Sequence, residues 1–189
     1  FVFNVDESGF QDFCDSHKQY VIVPAESDEE QYYYSVDRST KRITLIACIC
    51  LDGSSMMPCI VSHNKTVEQE LLHMGYNDSN CLIVYQESGF INAELFAYWA
   101  DQILFKEIAR RREQYNYHGT ALLLMDNCTA HLSDLFTDEC LYHGIYPFPE
   151  PPGSSDQVQA LDLGIFGIQK KQRTRTRSNN LSATSDSIR

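Results

Sequence analysis

The sequence has no apolar run long enough to cross a membrane, and it does not open with a signal-peptide pattern. It also has few cations, with 15 Lys and Arg against 26 Asp and Glu and a formal net charge of −11. Its seven cysteines show no paired C-x-x-C spacing. This scatter argues against a zinc site or a disulfide framework, and it predicts reduced, mostly buried thiols in an intracellular protein with no membrane partner.

The chain does have enough apolar sequence for one domain with a substantial core, since 43% of its 189 residues are hydrophobic. The first residue is not methionine and already lies in a predicted strand, so we expect the sequence to be part of a longer protein. We place the domain at residues 1–171. Residues 172–189 are polar, basic and rich in Ser and Thr, and this composition predicts a disordered tail.

Two predicted strands end in an aspartate. Ala121 to Met125 is a continuous apolar run, typical of a buried central strand, and Asp126 follows it directly. Phe1 to Val5 is a second apolar strand, and Asp6 follows it. A structural alternative stays open for the first of these acids, in which Asp126 and Asn127 form a turn and cap the next helix.

The first strand carries a second acid, Glu7, directly after Asp6. Neighbouring side chains of a strand point to opposite faces, so only one of the two can enter a given site. We select Asp6, because it shares its face with Asn4 within an apolar strand. Glu7 is expected to support the site from behind or to face the solvent.

A third acid, Asp162, lies near the other end of the sequence. The proline-rich residues 147–153 cannot form a regular helix, and Ser155 or Asp156 then offers the N-cap of a helix that carries Asp162 in an early turn. Carboxylates that converge repel one another unless a cation neutralises them, and Mg²⁺ suits a site built from oxygens. The residues expected to pack this helix on the sheet recur at helical spacing: Leu161, Ile165 and Ile168.

Three blocks stand in a fixed order: Asp-Glu-Ser-Gly-Phe at 6–10, Asp-Asn-Cys-Thr-Ala-His at 126–131, and Gln-Ala-Leu-Asp-Leu-Gly-Ile-Phe at 159–166. Together they resemble the catalytic domain of the DDE superfamily transposases, in the pogo, Tigger and jerky branch related to mariner elements. Residues 89–99 are similar to the family's segment before its long helix, and the resemblance extends from about residue 1 to about residue 171. The departures are Ala160, where the family usually has proline, and Asp156, where it often has histidine.

The resemblance implies an α/β, RNase H-like fold, whose mixed sheet begins as an antiparallel meander, continues with alternating helices and strands, and is flanked by helices. It also implies that Asp6, Asp126 and Asp162 are catalytic and hold two divalent ions, Mg²⁺ or Mn²⁺. Such a site would hydrolyse a DNA phosphodiester and transfer the freed strand end. Asn127 and His131 are expected either to orient a ligand or to contact DNA, with turn and packing roles as structural alternatives.

The expected partner is DNA, both transposon ends and target, in the nucleus. A charge of −11 is unusual for a DNA-binding protein, so we expect this domain alone to bind DNA weakly. The resemblance places helix-turn-helix modules upstream of Phe1 for sequence reading, and it leaves a homodimer open. The available cations cluster in two places: Lys170 and Lys171 with the arginines up to 177, expected to face DNA, and Arg110 to Arg112, where a helix C-terminus gives a structural alternative.

Hydrophobic patterns predict the remaining elements. The further strands are Gln19 to Pro24, Arg42 to Leu51, Ser55 to Ser62 after an Asp52-Gly53 hairpin turn, Cys81 to Tyr85, and Ile145 to Phe148. The helices are Thr66 to Met74, Ala93 to Gln114 and Leu132 to His143, the last stopped by Gly144. Asn92 is the predicted cap of the long helix, and Phe96, Trp99 and Ile103 form its core-facing stripe.

Two other functions remain open at this point. One is a domesticated derivative that keeps the fold as a DNA-associated scaffold without catalysis. Three converging carboxylates argue against it, because a scaffold has no physical need for them. The other is a different RNase H-like nuclease, since a fold does not fix a function; the block at 159–166 favours the transposase interpretation.

Overall fold

The structure is a computed structural model that describes residues 1–11, 42–77, 79–151, 153, 159–172 and 175–176. Its strands are β1 (Val2–Gln11), β2 (Arg42–Cys50), β3 (Cys59–Ser62), β4 (Leu82–Tyr85), β5 (Ala121–Met125) and β6 (Ile145–Pro149). They form one six-stranded sheet in the order β4-β3-β2-β1-β5-β6. The strand predicted at Gln19 to Pro24, the helix cap predicted at Ser155 or Asp156, and most of the tail predicted at 172–189 lie outside the described residues.

The first half of the sheet is the predicted antiparallel meander, in which β1 pairs with β2 and β2 with β3. The predicted turn follows β2, where the Gly53 N–H donates to the Cys50 carbonyl at 2.9 Å. The return strand is shorter than predicted: Ser55 makes a single bridge, and regular pairing starts at Cys59. Pro58, directly before Cys59, has no N–H to donate to a ladder.

The second half of the sheet is parallel, because β5 pairs parallel with β1 and β6 parallel with β5. The register aligns Asn4 with Leu124, and Leu124 with Phe148. Two residues beyond these aligned positions, each of the three segments carries an acid: Asp6, Asp126 and Glu150. Residues two positions apart in a strand project to the same face of a sheet. The three acids therefore form one row across the neighbouring strands β1, β5 and β6.

The helices are α1 (Val67–His73), α2 (Ala93–Trp99), α3 (Phe105–Tyr115), α4 (Asp134–Tyr142) and α5 (residues 160–172). The predicted long helix is continuous, but a π-helical segment at Ala100–Leu104 joins α2 to α3. Asn92 caps α2 as predicted, since its side-chain oxygen accepts the Leu95 N–H at 2.9 Å. The predicted stripe is confirmed as core, with Phe96, Trp99 and Ile103 at most 3% exposed.

Helix α5 corrects one prediction. Its first turns are π-helical from Leu161 to Phe166, and these two residues, five positions apart, are the buried ones. Ile165 is only half-buried, and Ile168 is 58% exposed rather than packed on the sheet. The reason is the wider turn, since i→i+5 bonding replaces the i, i+4, i+7 stripe of an α-helix by a spacing of five.

The core lies between the sheet and the helices α2, α3 and α4. Phe3, Leu123 and Met125 project from the strands and are at most 1% exposed, with Trp99 and Phe136 among the helical residues of the same cluster. The six cysteines of the described ranges are free; four of them are buried, and their redox state in the cell stays a prediction. Within the described ranges, no helix has the length and apolar character required to cross a bilayer.

Candidate functional site

Asp6 is a buried carboxylate near the middle of β1, and it is 5% exposed. Its Oδ1 accepts the N–H of Glu7 at 2.8 Å, whereas its Oδ2 has no hydrogen-bond partner within the described part of the chain. Burial, together with the charges of Asp162, Glu7 and Asp126, raises the pKa of Asp6 from 3.8 to about 7, although the Glu7 backbone hydrogen bond opposes the shift. A carboxyl with a free buried oxygen among like charges can accept a cation.

Asp126 lies at the carboxyl end of β5 with its side chain 33% exposed. Its Oδ1 accepts the Cys128 N–H at 3.0 Å and faces His131 Nδ1 at 2.6 Å. The hydrogen bond from His131 lowers the pKa of Asp126, although burial opposes the shift. The turn that the sequence left as an alternative therefore exists, but the cap of α4 is Ser133, whose hydroxyl accepts the Phe136 N–H.

His131 is fully buried and holds Asp126 in place. Its ring is 4.1 Å from the Phe96 ring, and its Nε2 lies 2.5 Å from Glu7 Oε1. Burial alone would lower the pKa of His131, but hydrogen bonds to Asp126 and Glu7 outweigh it and raise the pKa to about 10. The ring is therefore an imidazolium that donates to both carboxylates, so Glu7 supports Asp126 through His131 from the opposite face of β1.

Asp162 is an exposed side chain in the first turn of α5. The neighbouring Leu161 N–H donates to Asn4 Oδ1 at 3.3 Å, and Asn4 Nδ2 donates to the Leu124 carbonyl at 3.4 Å. One amide side chain thus ties together β1, β5 and the start of α5. The structure brings the three predicted aspartates into one cluster, in which the charges of Asp126 and Asp162 act on Asp6. The Leu161 contact places the start of α5 against Asn4, on the face of β1 that also carries Asp6.

Sequence reasoning missed two members of this cluster, Asn4 as a tie and Glu150 as an acid. Glu150 directly follows β6 and is 5% exposed, and neither of its side-chain oxygens has a hydrogen-bond partner. Burial raises its pKa, and the charges of Asp126 and Asp162 raise it further. The signal was present in the sequence, since Glu150 follows a strand just as Asp126 does, but the prolines around it suggested only a loop.

Comparison with known proteins identifies the family of this chain. A sequence profile of the DDE superfamily endonucleases matches residues 40–189, which include Asp126 and Asp162 but not Asp6. This chain belongs to the DDE superfamily endonucleases. A comparison with curated proteins gives no significant match.

Solved structures that resemble this DDE superfamily domain include Mos1 transposase complexes. The Mos1 mariner paired-end complex with Mn matches with a TM-score of 0.59 and 14% identity, over 90% of this chain and 41% of that one. The pre-cleavage Mos1 transpososome also matches, with a TM-score of 0.53 and 13% identity over 82% of this chain and 37% of that one. The Mos1 paired-end complex with the left transposon end matches with a TM-score of 0.52 and 12% identity over 89% of this chain and 40% of that one. These likenesses confirm the predicted RNase H-like fold, and this chain spans about two fifths of each solved chain.

The donors of this DDE superfamily site suit a hard divalent cation. Asp6, Asp126, Asp162 and Glu150 offer only oxygens, and two of the four carry buried oxygens without a partner. The ligand atoms of Asp126, Cys128 and His131 also lie within 4.8 Å of one another. Both nitrogens of His131 already face carboxylates, so the oxygen set is the better fit, and it matches the preference of Mg²⁺ and Mn²⁺.

The remaining predicted residues are Asn127, the two lysines of α5 and the arginine cluster on α3. Asn127 Nδ2 donates to the Glu150 carbonyl at 2.5 Å, so it joins the ends of β5 and β6. Lys170 and Lys171 are exposed on α5, roughly two turns beyond Asp162. The arginine cluster is used internally: Arg110 and Arg111 pair with Glu107 at 2.7 Å, Arg111 also reaches Asp52 and Ser54, and Arg112 donates to the carbonyls of Gly119, His143 and Gly144.

Proposed function

We propose that this chain is the catalytic domain of a metal-dependent DNA endonuclease of the transposase type, with Asp6, Asp126 and Asp162 as catalytic metal ligands. The observation that carries the proposal is the buried Asp6 Oδ2, which has no partner and lies among like charges. A charge in that position is stable only next to a cation or when protonated. The family and the fold independently favour phosphodiester chemistry at this edge of the sheet.

Each residue has a distinct part in holding and orienting the site. Asp6 is fixed by β1 and by the Glu7 N–H, so its free oxygen has one direction. Asp126 is oriented by His131, which leaves its second oxygen for a ligand. Asp162 is exposed on α5 and closes the site from the side that a DNA strand can approach. Two bound Mg²⁺ or Mn²⁺ ions would supply activation of a water or 3′-hydroxyl and stabilisation of the leaving oxygen.

The same comparisons support DNA as the substrate. The solved neighbours are complexes with a transposon end and a strand transfer complex, and this supports transposon and target DNA as the partners of this domain. Lys170, Lys171 and Arg175 are exposed on the helical backbone of the C-terminal part and provide cations for phosphates. Nuclear location, upstream helix-turn-helix modules, a homodimer and the division into a domain at 1–171 and a tail at 172–189 belong to the same proposal.

The test is a calorimetric titration of Mg²⁺ or Mn²⁺ into this chain, with nicking of supercoiled DNA measured on the same samples. The variants are Asp126→Asn and, as a control, Asp138→Asn, which changes an exposed acid on α4. Metal binding and nicking should be lost in the first variant and kept in the second, with circular dichroism showing that both are folded. Absence of binding at millimolar metal in the folded wild type would refute the proposal and favour the domesticated scaffold.

A further inference from the structure

Glu150 is held rigidly beside Asp126. Its backbone N–H donates to the Met125 carbonyl at 2.8 Å, and its own carbonyl accepts from Asn127 Nδ2 at 2.5 Å. The strand register pairs Met125 with Pro149, so Glu150 is level with Asp126 on the adjacent chain. Neighbouring strands lie about 4.8 Å apart, and level residues of parallel strands project to the same face.

None of the residues that the structure describes provides a hydrogen-bond partner for the side chain of Glu150. It is 5% exposed, and both carboxylate oxygens are buried without a hydrogen bond. Two less buried acids among the described residues do contact a cationic side chain: Glu7 contacts His131, and Glu107 contacts Arg110 and Arg111. A buried, unpaired carboxylate destabilises a fold strongly unless a cation binds it.

We infer that Glu150 is a fourth carboxylate ligand of the divalent-metal site, in one row with Asp6 and Asp126 across three adjacent strands. This inference rests on the proposed function, because it assigns a further residue to the same site. Burial raises the pKa of Glu150, and the charges of Asp126 and Asp162 raise it further, as expected when the three acids share one site. A divalent cation would compensate all four acids at once.

A ligand role and a structural role predict opposite results for Glu150→Gln. A ligand that is unpaired without metal destabilises the metal-free protein, so its neutral isostere should unfold at a temperature higher by about 2–4 °C in the presence of a chelator. The same variant should bind Mn²⁺ about tenfold or more weakly, because one anionic oxygen donor is lost. A purely structural carboxylate would give lower stability and unchanged metal affinity.

The experiment compares the wild type with Glu150→Gln, Asp126→Asn and Glu113→Gln. Glu113 is an exposed acid on α3, so its variant removes the same charge far from the site. Mn²⁺ affinity is measured by calorimetry, and thermal unfolding is measured with chelator and with saturating Mn²⁺. The inference is supported when Glu150→Gln alone combines weaker binding with a more stable metal-free state.

Three results would overturn the inference. Unchanged affinity in Glu150→Gln, with binding lost in Asp126→Asn, removes Glu150 from the site and leaves the proposed function intact. Weaker binding together with a less stable metal-free state also overturns it, because damage to the fold then accounts for the loss of affinity. Absence of Mn²⁺ binding in the wild type refutes both the inference and the proposed function.

Discussion

Replacement of Asp6 by asparagine should stabilise the metal-free protein at alkaline pH and lose that advantage in acid. Burial raises the pKa of Asp6 from 3.8 to about 7. The folded protein therefore keeps the proton to a higher pH than the unfolded chain, and its stability falls as the pH rises from about 4 to about 7. Asparagine cannot ionise, so the variant escapes this loss.

The size of the effect follows from the same two pKa values. A rise from 3.8 to about 7 corresponds to about 4 kcal/mol once the carboxyl is fully ionised in both states. Between pH 5 and pH 8 the free energy of unfolding of Asp6→Asn should rise relative to wild type by about 2.5 kcal/mol. Comparing two pH values cancels any fixed effect of the new amide group, because that effect does not titrate.

The assay is urea denaturation at several pH values with a chelator present. Asp138→Asn is the control, since its carboxylate is exposed and its difference from wild type should stay flat across the range. Mn²⁺ at 100 Kd and pH 8 should offset about 2.7 kcal/mol of the advantage of Asp6→Asn, because only the wild type gains binding energy. A difference between Asp6→Asn and wild type that is flat or falls with rising pH would refute this reasoning.

Two further predictions concern the support of the site and of the fold. His131→Ala should lower the free energy of unfolding by about 3 kcal/mol, because it leaves two carboxylates facing each other without their shared cation. Urea denaturation measures this loss, with His118→Ala as the control at an exposed position. A loss below about 1 kcal/mol in His131→Ala would contradict the prediction. Gly89→Ala should cost about 3 kcal/mol or more, because a Cβ there would meet the Arg42 carbonyl oxygen. Thermal unfolding measures this loss, with Gly75→Ala as the control, since the φ of Gly75 is also positive, at +88°, but no atom lies within 4 Å of a Cβ there. Equal losses of stability in the two variants would exclude the steric explanation.

The sequence carried much of the fold because each strand of the site has a strong local pattern. Ala121–Met125 is five apolar residues in a row, which have no solvent face to alternate toward, and an acid follows it. Val2–Gln11 begins with a mostly apolar stretch, but the strand continues through Asp6 to Gln11 instead of ending at the acid. The hairpin turn and the cap of α2 are equally local signals. The parallel pairing of β1 with β5 is different, because it joins residues about 120 positions apart, and no local pattern predicts it.

The parts of the site that escaped prediction depend on distant contacts. Glu7 was expected behind the site or in solvent, and only the fold shows that it reaches His131, 124 positions away. Glu150 looked like a loop residue until the register placed it beside Asp126. The exposure of Ile168 follows from a π-helical turn, which hydrophobic spacing alone does not reveal.

The Asn4 amide has a consequence for the order in which the site is completed. Its bond to Leu161 joins positions 157 apart in the chain, and this contact presents Asp162 to the other acids. Contacts of such long separation form late, after the loop between them has closed. During synthesis the ribosome must release the segment around Asp162 before the acids can meet, so the acid cluster is still incomplete in a nascent chain that already displays Asp6 and Asp126.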